Sequence, residues 1–173
     1  MRGPRSDRSG ASDRLPAPIA DALGFVRVDF PSEPALPRPN RLAFATVVSL
    51  VGSLGADAFL VSLGTRVFAS TKGYTHFRFS DYGKLTAIGV VIACIGWPVV
   101  TRLSSSARWL FLRLAIGVTL VLWLPDLWIL SKGQPSKAVA VLMVMHLAIA
   151  AVTYNALVRL APPRPREGVA SRG

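Results

Sequence analysis

Apolar positions along this chain neither alternate nor recur on one helical face. They collect in four runs, at about residues 42–64, 84–101, 109–130 and 138–160, each apolar around the whole circumference of a helix. A run of about 20 such residues is long enough to cross a bilayer, and a helix without a polar face has no side to turn to water. The pattern predicts an all-α fold, an integral membrane four-helix bundle over residues 42–160. A soluble all-α domain would need far more amphipathic sequence to cover these runs. Residues 1–41 hold seven of the thirteen prolines, seven arginines and five acids, and read as a disordered, basic, Pro-rich tail. Within it, residues 19–25, IADALGF, have room for one or two helical turns at a membrane surface. PPRPR at 162–166 ends the fourth run, and residues 161–173 read as a second flexible tail. The first apolar run begins only at Leu42, too late for a cleavable signal peptide, so that span is expected to be retained.

The connections refine this picture. Residues 65–83 form the longest one, and Phe68, Tyr74, Phe77, Phe79 and Tyr82 suit the membrane interface. Tyr74, His76, Arg78 and Ser80 alternate with Thr75, Phe77 and Phe79 as in a hairpin arm, but irregular structure is the favoured reading. Asp81 is expected to cap the helix that follows. Span two is expected to end at Trp97 and Pro98, near Arg102 at the opposite water interface, with Pro98 kinking or loosening its last turn. The short RLSSSAR connection makes spans two and three antiparallel neighbours. Span three opens with Arg113, which can snorkel to headgroups, and closes in WLPDLWIL. Pro125 leaves a carbonyl one turn earlier without its donor, so a broken or tilted helix end is expected there. Gly133 and Pro135 mark 131–137 as a turn. No convincing repeat relates the two hairpins.

Charge adds orientation. The chain carries a formal +11, with sixteen Arg and four Lys, but these residues lie in tails and short loops instead of on one amphipathic face. Membrane topology accounts for them better than a nucleic-acid partner does. Fourteen lie on the side of the two termini and six on the other, which predicts cytoplasmic N- and C-termini. Abundant Arg, Ala, Gly and Pro fit a GC-rich bacterial genome. Cys94 stands alone, within span two, so no intramolecular disulfide or CxxC centre exists and a small packing residue is expected. Two histidines, His76 in a loop and His146 in a span, do not make the ligand set of a structural zinc or a bis-histidine haem. No Walker sequence, H-E-x-x-H or G-x-S-x-G occurs, and Ser104, Ser105 and Ser106 read as a linker. No catalytic residue, metal site or cofactor is expected.

What remains is ionisable groups inside spans. Measured at about 1.5 Å per residue from the terminus-side ends, Asp57 lies about 22 Å across, Asp126 about 26 Å and His146 about 21 Å. Three helices thus place an ionisable group at one level, in the half of the membrane away from the termini. An acid facing lipid at a span's centre costs roughly 2.5 to 3.5 kcal/mol, so Asp57 should face protein or water. Two readings follow: a proton or cation site, and a structural polar clasp joining spans one, three and four. The clasp is favoured, because polar contacts often join spans without transport. Asp126 has a plainer reading as the cap of a short terminal helix, with Trp123 and Trp128 as interfacial anchors. Tyr154 and Asn155 read as packing and interface residues. On span one, Ala45, Ser49, Gly52 and Ala56 line a small-residue face where another helix can approach closely, widened by Gly55 and Ala58.

GAD at 55–57, WLPDL at 123–127, MVMH at 143–146 and NALVRLAP at 155–162 resemble an uncharacterised family of small four-span membrane proteins of actinobacteria. The resemblance covers about residues 42–162 and leaves out the N-terminal tail. It implies a four-helix membrane fold and a plasma-membrane location, and no catalytic activity. The expectation is a non-enzymatic membrane protein whose helices bind the lipid bilayer and associate as a homo-oligomer or with a larger membrane protein. The alternative is a small proton- or cation-coupled transporter built on Asp57 and His146.

Overall fold

The computed structural model describes Val28, residues 35–68, Thr71, Tyr74 and residues 77–164. Four helices follow one another: α1 (Pro39–Val67), α2 (Phe79–Leu103), α3 (Ala107–Ser131) and α4 (Ser136–Leu160). Each is long and apolar enough to cross a membrane. At about 1.5 Å per residue a helix of about 25 residues reaches roughly 37 Å, beyond a hydrocarbon core of about 30 Å. α1, α2 and α3 overshoot their apolar runs at both ends and α4 at its start, since backbone pairing continues after the side chains turn polar. Most of both predicted tails, the 19–25 segment and His76 lie outside the described residues.

Local chemistry explains the ends. Pro39 begins α1, where its missing N–H is no loss. The segment just before it, within the predicted tail, is tied to the exit of α4. Pro37 bridges Pro163, and the Arg164 N–H donates to the Leu36 carbonyl at 3.4 Å. At the other end of α1 the Phe68 N–H donates to the Gly64 carbonyl at 2.8 Å, and the buried Thr71 hydroxyl donates to the Phe68 carbonyl at 2.8 Å. The connection then descends through successive turns, Thr71 to Phe68, Tyr74 to Thr71 and Phe77 to Tyr74, so its described residues are irregular and form no hairpin arm.

Asp81 does not cap α2. The helix starts earlier than the apolar run, with Arg78 at its N-cap, and Asp81 sits in the first turn without a capping bond. Its charge there complements the helix dipole. Neither proline ends a helix: α2 continues past Pro98 to Leu103, and α3 passes Pro125 to Ser131. Losing one N–H removes one hydrogen bond, whereas breaking the helix in an apolar medium would expose many. Past α3, Gly133 takes a positive φ of 84°, its N–H donates to the Leu130 carbonyl, and the Gln134 N–H donates to that of Ile129. This is a Schellman closure, and it reverses the chain into α4.

Consecutive helices run antiparallel, and α4 touches all three other helices, α1 most extensively. Along α1, Ala45, Ser49, Ser53 and Asp57 are buried at four-residue intervals. Gly52 and Ala56 are half-buried beside that line. A Cβ on Gly52 would lie 2.9 Å from Val152 Cγ1, and one on Gly64 would lie 2.9 Å from Val141 Cγ2. The core sits toward the end that carries the termini, around Val90, Cys94, Trp97, Leu110, Phe111 and Leu157. Trp97 is fully buried: its indole donates to the Ala161 carbonyl at 2.8 Å, one of the carbonyls left over where α4 ends. Phe111 meets it edge-on at 5.1 Å and stacks with Tyr154 at 6.0 Å. Of the other tryptophans, Trp123 donates to the Met143 carbonyl at 3.2 Å, and Trp128 is exposed beneath Lys132. Phe44, Val51, Leu85, Ile92, Leu120 and Leu124 point outward, as lipid requires.

Gly64→Leu should destabilise the detergent-solubilised bundle by about 1–3 kcal/mol, the usual penalty of overpacking. Gly55→Ala, which meets open space, should leave it unchanged. Thermal unfolding followed by circular dichroism checks both, and Val141→Ala should recover part of the Gly64→Leu loss.

Candidate functional site

Four polar side chains, one from each helix, occupy the half of the bundle near the 68–78 and 132–135 connections. Asp57 comes from α1, Thr86 from α2, Asp126 from α3 and His146 from α4. They meet in two pairs. The Thr86 hydroxyl donates to Asp57 Oδ2 at 2.6 Å. Asp126 Oδ2 and His146 Nδ1 lie 3.0 Å apart. That approach is within ion-pair distance but lacks the alignment of a hydrogen bond. With Nδ1 facing the carboxylate, the favourable forms of the ring are those with a proton on Nδ1.

Burial is deep: Asp57 is 0% exposed and Asp126 6%. The His146 side chain keeps 25% of its surface, making it the most accessible ionisable member. His146 also acts electrostatically on Asp57, and Asp57 in turn on Tyr82 of α2. The two pairs thus share one electrostatic environment. Asp126 also reaches outward. Burial, and then the negative charge of Asp126, push the Tyr74 phenol above its ordinary range.

From Asp57 a line of hydroxyls runs along α1 toward the end that carries the termini. Ser53 lies one turn away, with its Oγ 3.4 Å from Thr153 Oγ1 on α4. Ser49 lies two turns away, beside the Cys94 thiol. Ser49, Ser53 and Asp57 are all wholly buried. Among the described residues, Ser49 Oγ and Asp57 Oδ1 are buried without a hydrogen-bond partner. Past Ser49 the line stops against the Trp97, Phe111 and Leu157 core.

The structure therefore brings Asp126 and His146 into contact and gives Asp57 a different nearest partner. Asp126 caps no terminal helix, because α3 continues past it. Thr86 was not among the residues singled out from the sequence. Its signal was only a hydroxyl near the loop end of an apolar run, and nothing in sequence spacing joins it to Asp57 29 positions earlier. Tyr154 stacks on Phe111 and donates to the Arg108 carbonyl at 3.4 Å, while the Asn155 amide donates to the Ala151 carbonyl of its own helix.

Compared with known families, curated proteins and solved structures, the chain matches none. What the site can do follows from its contacts. It can tie helices together, and its two carboxyls and one imidazole can hold and share protons. No three His, Cys, Asp or Glu among the described residues group as a metal site. Two surface grooves lie elsewhere: one along α1 at Ala58, Phe59, Ser62, Leu63 and Arg66, the other near the termini between Thr101, Ser104, Ala107 and Arg164.

A double-mutant cycle on Asp126→Asn and His146→Gln, read by unfolding in mild detergent, should give a coupling of about 0.5–2 kcal/mol, in the range of polar contacts between membrane helices. In a chain with Tyr82→Phe and Tyr154→Phe, tyrosinate absorbance should report Tyr74 alone. Asp126→Asn should then move its titration downward toward the ordinary phenol range, stopping short because burial remains.

Proposed function

We propose that this chain is a non-enzymatic multi-pass membrane protein whose bundle is closed by the Asp57–Thr86 and Asp126–His146 contacts and whose outer α1 face receives another membrane helix. The observation that carries this reading is the groove along α1. The small-residue face of Ala45, Ser49, Gly52 and Ala56 turns inward and is used against α4. Gly55, Ala58 and Ser62 fall on the outer side, and a groove of about 320 Å³ opens at Ala58 and Ser62 beside Phe59 and Leu63. In lipid, helices associate where small side chains let backbones approach, since apolar surface alone gives no preference for protein over acyl chains. A second copy of this chain and a larger membrane protein are both suitable partners. The resemblance to small actinobacterial four-span proteins and the excess of Arg and Lys on the side of the termini favour a bacterial plasma membrane with both ends cytoplasmic.

Blue native electrophoresis of a mild extract, at native expression, should show a species larger than the monomer. Gly55→Leu should convert it to monomer while the helical circular dichroism stays intact, because a Cβ at Gly55 meets nothing within 4 Å among the described residues. A lone monomer in the unmodified protein refutes the reading.

The unpartnered Asp57 Oδ1 favours a second reading, a small proton- or cation-coupled carrier. In vesicles holding the purified protein, Asp57→Asn and His146→Ala should then each reduce proton-linked flux at least tenfold. Unchanged flux in both variants removes it.

A further inference from the structure

The two acids of the cluster are held in different ways. Asp126 faces a base at 3.0 Å. Asp57 is wholly buried and receives one hydrogen bond, from Thr86 on Oδ2, while no donor or cation among the described residues meets Oδ1. An ionised carboxylate removed from water with one bare oxygen is the most unfavourable form of this side chain. A neutral carboxyl with its proton on Oδ1 loses the net charge and keeps Oδ2 as the acceptor that the Thr86 hydroxyl uses. A metal cation would be another remedy, but it needs several oxygens and room to sit. No group of three or more His, Cys, Asp or Glu side chains surrounds Asp57 among the described residues. A proton needs no volume.

The groups around Asp57 set where that proton comes from. Ser53 precedes it on α1, Thr86 and the Tyr82 phenol act from α2, and His146 acts from α4 with Asp126 of α3 behind it. Toward the termini the hydroxyl line ends at the buried aromatic core, and toward the loops lies the part-exposed imidazole. We propose that Asp57 is a proton-binding carboxyl inside the membrane, carrying its proton on Oδ1 in the closed bundle and loaded from the side of His146. This goes beyond association through α1 and holds with or without net transport.

The test uses the full-length protein in phosphatidylcholine vesicles and the hydrophobic reagent dicyclohexylcarbodiimide. The carboxyl oxygen bonds the central carbon of the reagent, the acid proton passes to a nitrogen and nothing leaves, so the protonated acid is the form consumed. Peptide mass spectrometry should find the adduct on Asp57 at about pH 7, at a rate that falls at least tenfold by about pH 9. Thr86→Val removes the hydrogen bond that favours the ionised form, and labelling should persist to roughly tenfold lower proton concentration. Asp57→Asn should abolish the adduct, and the infrared carbonyl band of a protonated acid should disappear with it. Because Thr86→Val keeps both carboxyls, its pH profile remains informative even if Asp57→Asn fails to fold. Absence of an Asp57 adduct at every pH from about 5 to 8, labelling of Asp126 in its place, or a pH profile unmoved by Thr86→Val overturns the assignment. Gly55→Leu separates this result from the association reading: it should yield a monomer that labels at Asp57 as the native protein does.

Discussion

An acid within a hydrocarbon layer has to face protein, and this single demand fixes how the helices turn. Exposing Asp57 to acyl chains would cost several times what one helix contact contributes, so α1 rotates until Asp57 points inward. Once it does, the residues one and two turns away, Ser53 and Ser49, point inward as well, and so does Ala45. The opposite side of α1 becomes the lipid face, with Phe44, Val51 and Phe59 outward. Asp126 imposes the same choice on α3, and His146, set opposite it, ties the register of α4 to that of α3.

The bundle has two unlike ends. At the end that carries the termini, packing dominates: Trp97, Phe111 and Tyr154 form an aromatic series, and the Trp97 indole uses up the Ala161 carbonyl left as α4 ends. The Pro37–Pro163 bridge draws the two chain exits together at that end. Toward the loops, polar contacts replace aromatic ones, in an interior where fewer water molecules compete and each polar contact is electrostatically stronger. Each helix supplies one member to the pairs there, so no helix can leave without exposing a polar group.

Close approach and polar pairing share α1. Gly52 and Gly64 let α4 come near enough that added Cβ atoms would meet Val152 and Val141 at 2.9 Å. That proximity is what places Ser53 and Thr153 within 3.4 Å of each other. By contrast α3 buries few residues, chiefly Ala107, Leu110, Phe111, Thr119 and Asp126, and presents most of its surface outward. Besides Leu110 and Phe111 in the core, its contacts to α4 include Asp126–His146 and the Trp123 bond to the Met143 carbonyl.

The amino-acid order by itself determined that four helices form and that lipid is their solvent, because length and all-round apolarity are local properties that need no partner. It also marked Asp57, Asp126 and His146, since a charge within an apolar run is visible without coordinates, and helix rise was enough to set them at a similar depth. Only tertiary structure decided who meets whom. Rise along an axis says nothing about rotation around it, so the Asp126–His146 contact and the Thr86 hydroxyl on Asp57 depended on how four cylinders pack. The same reason explains Trp97 and the two prolines. A local reading treats a proline in an apolar run as a break and gives an aromatic near a span's end no partner. In the packed bundle the indole finds a leftover carbonyl, and the helices run on through Pro98 and Pro125, because in an apolar medium an intact helix leaves the fewest backbone groups unpaired.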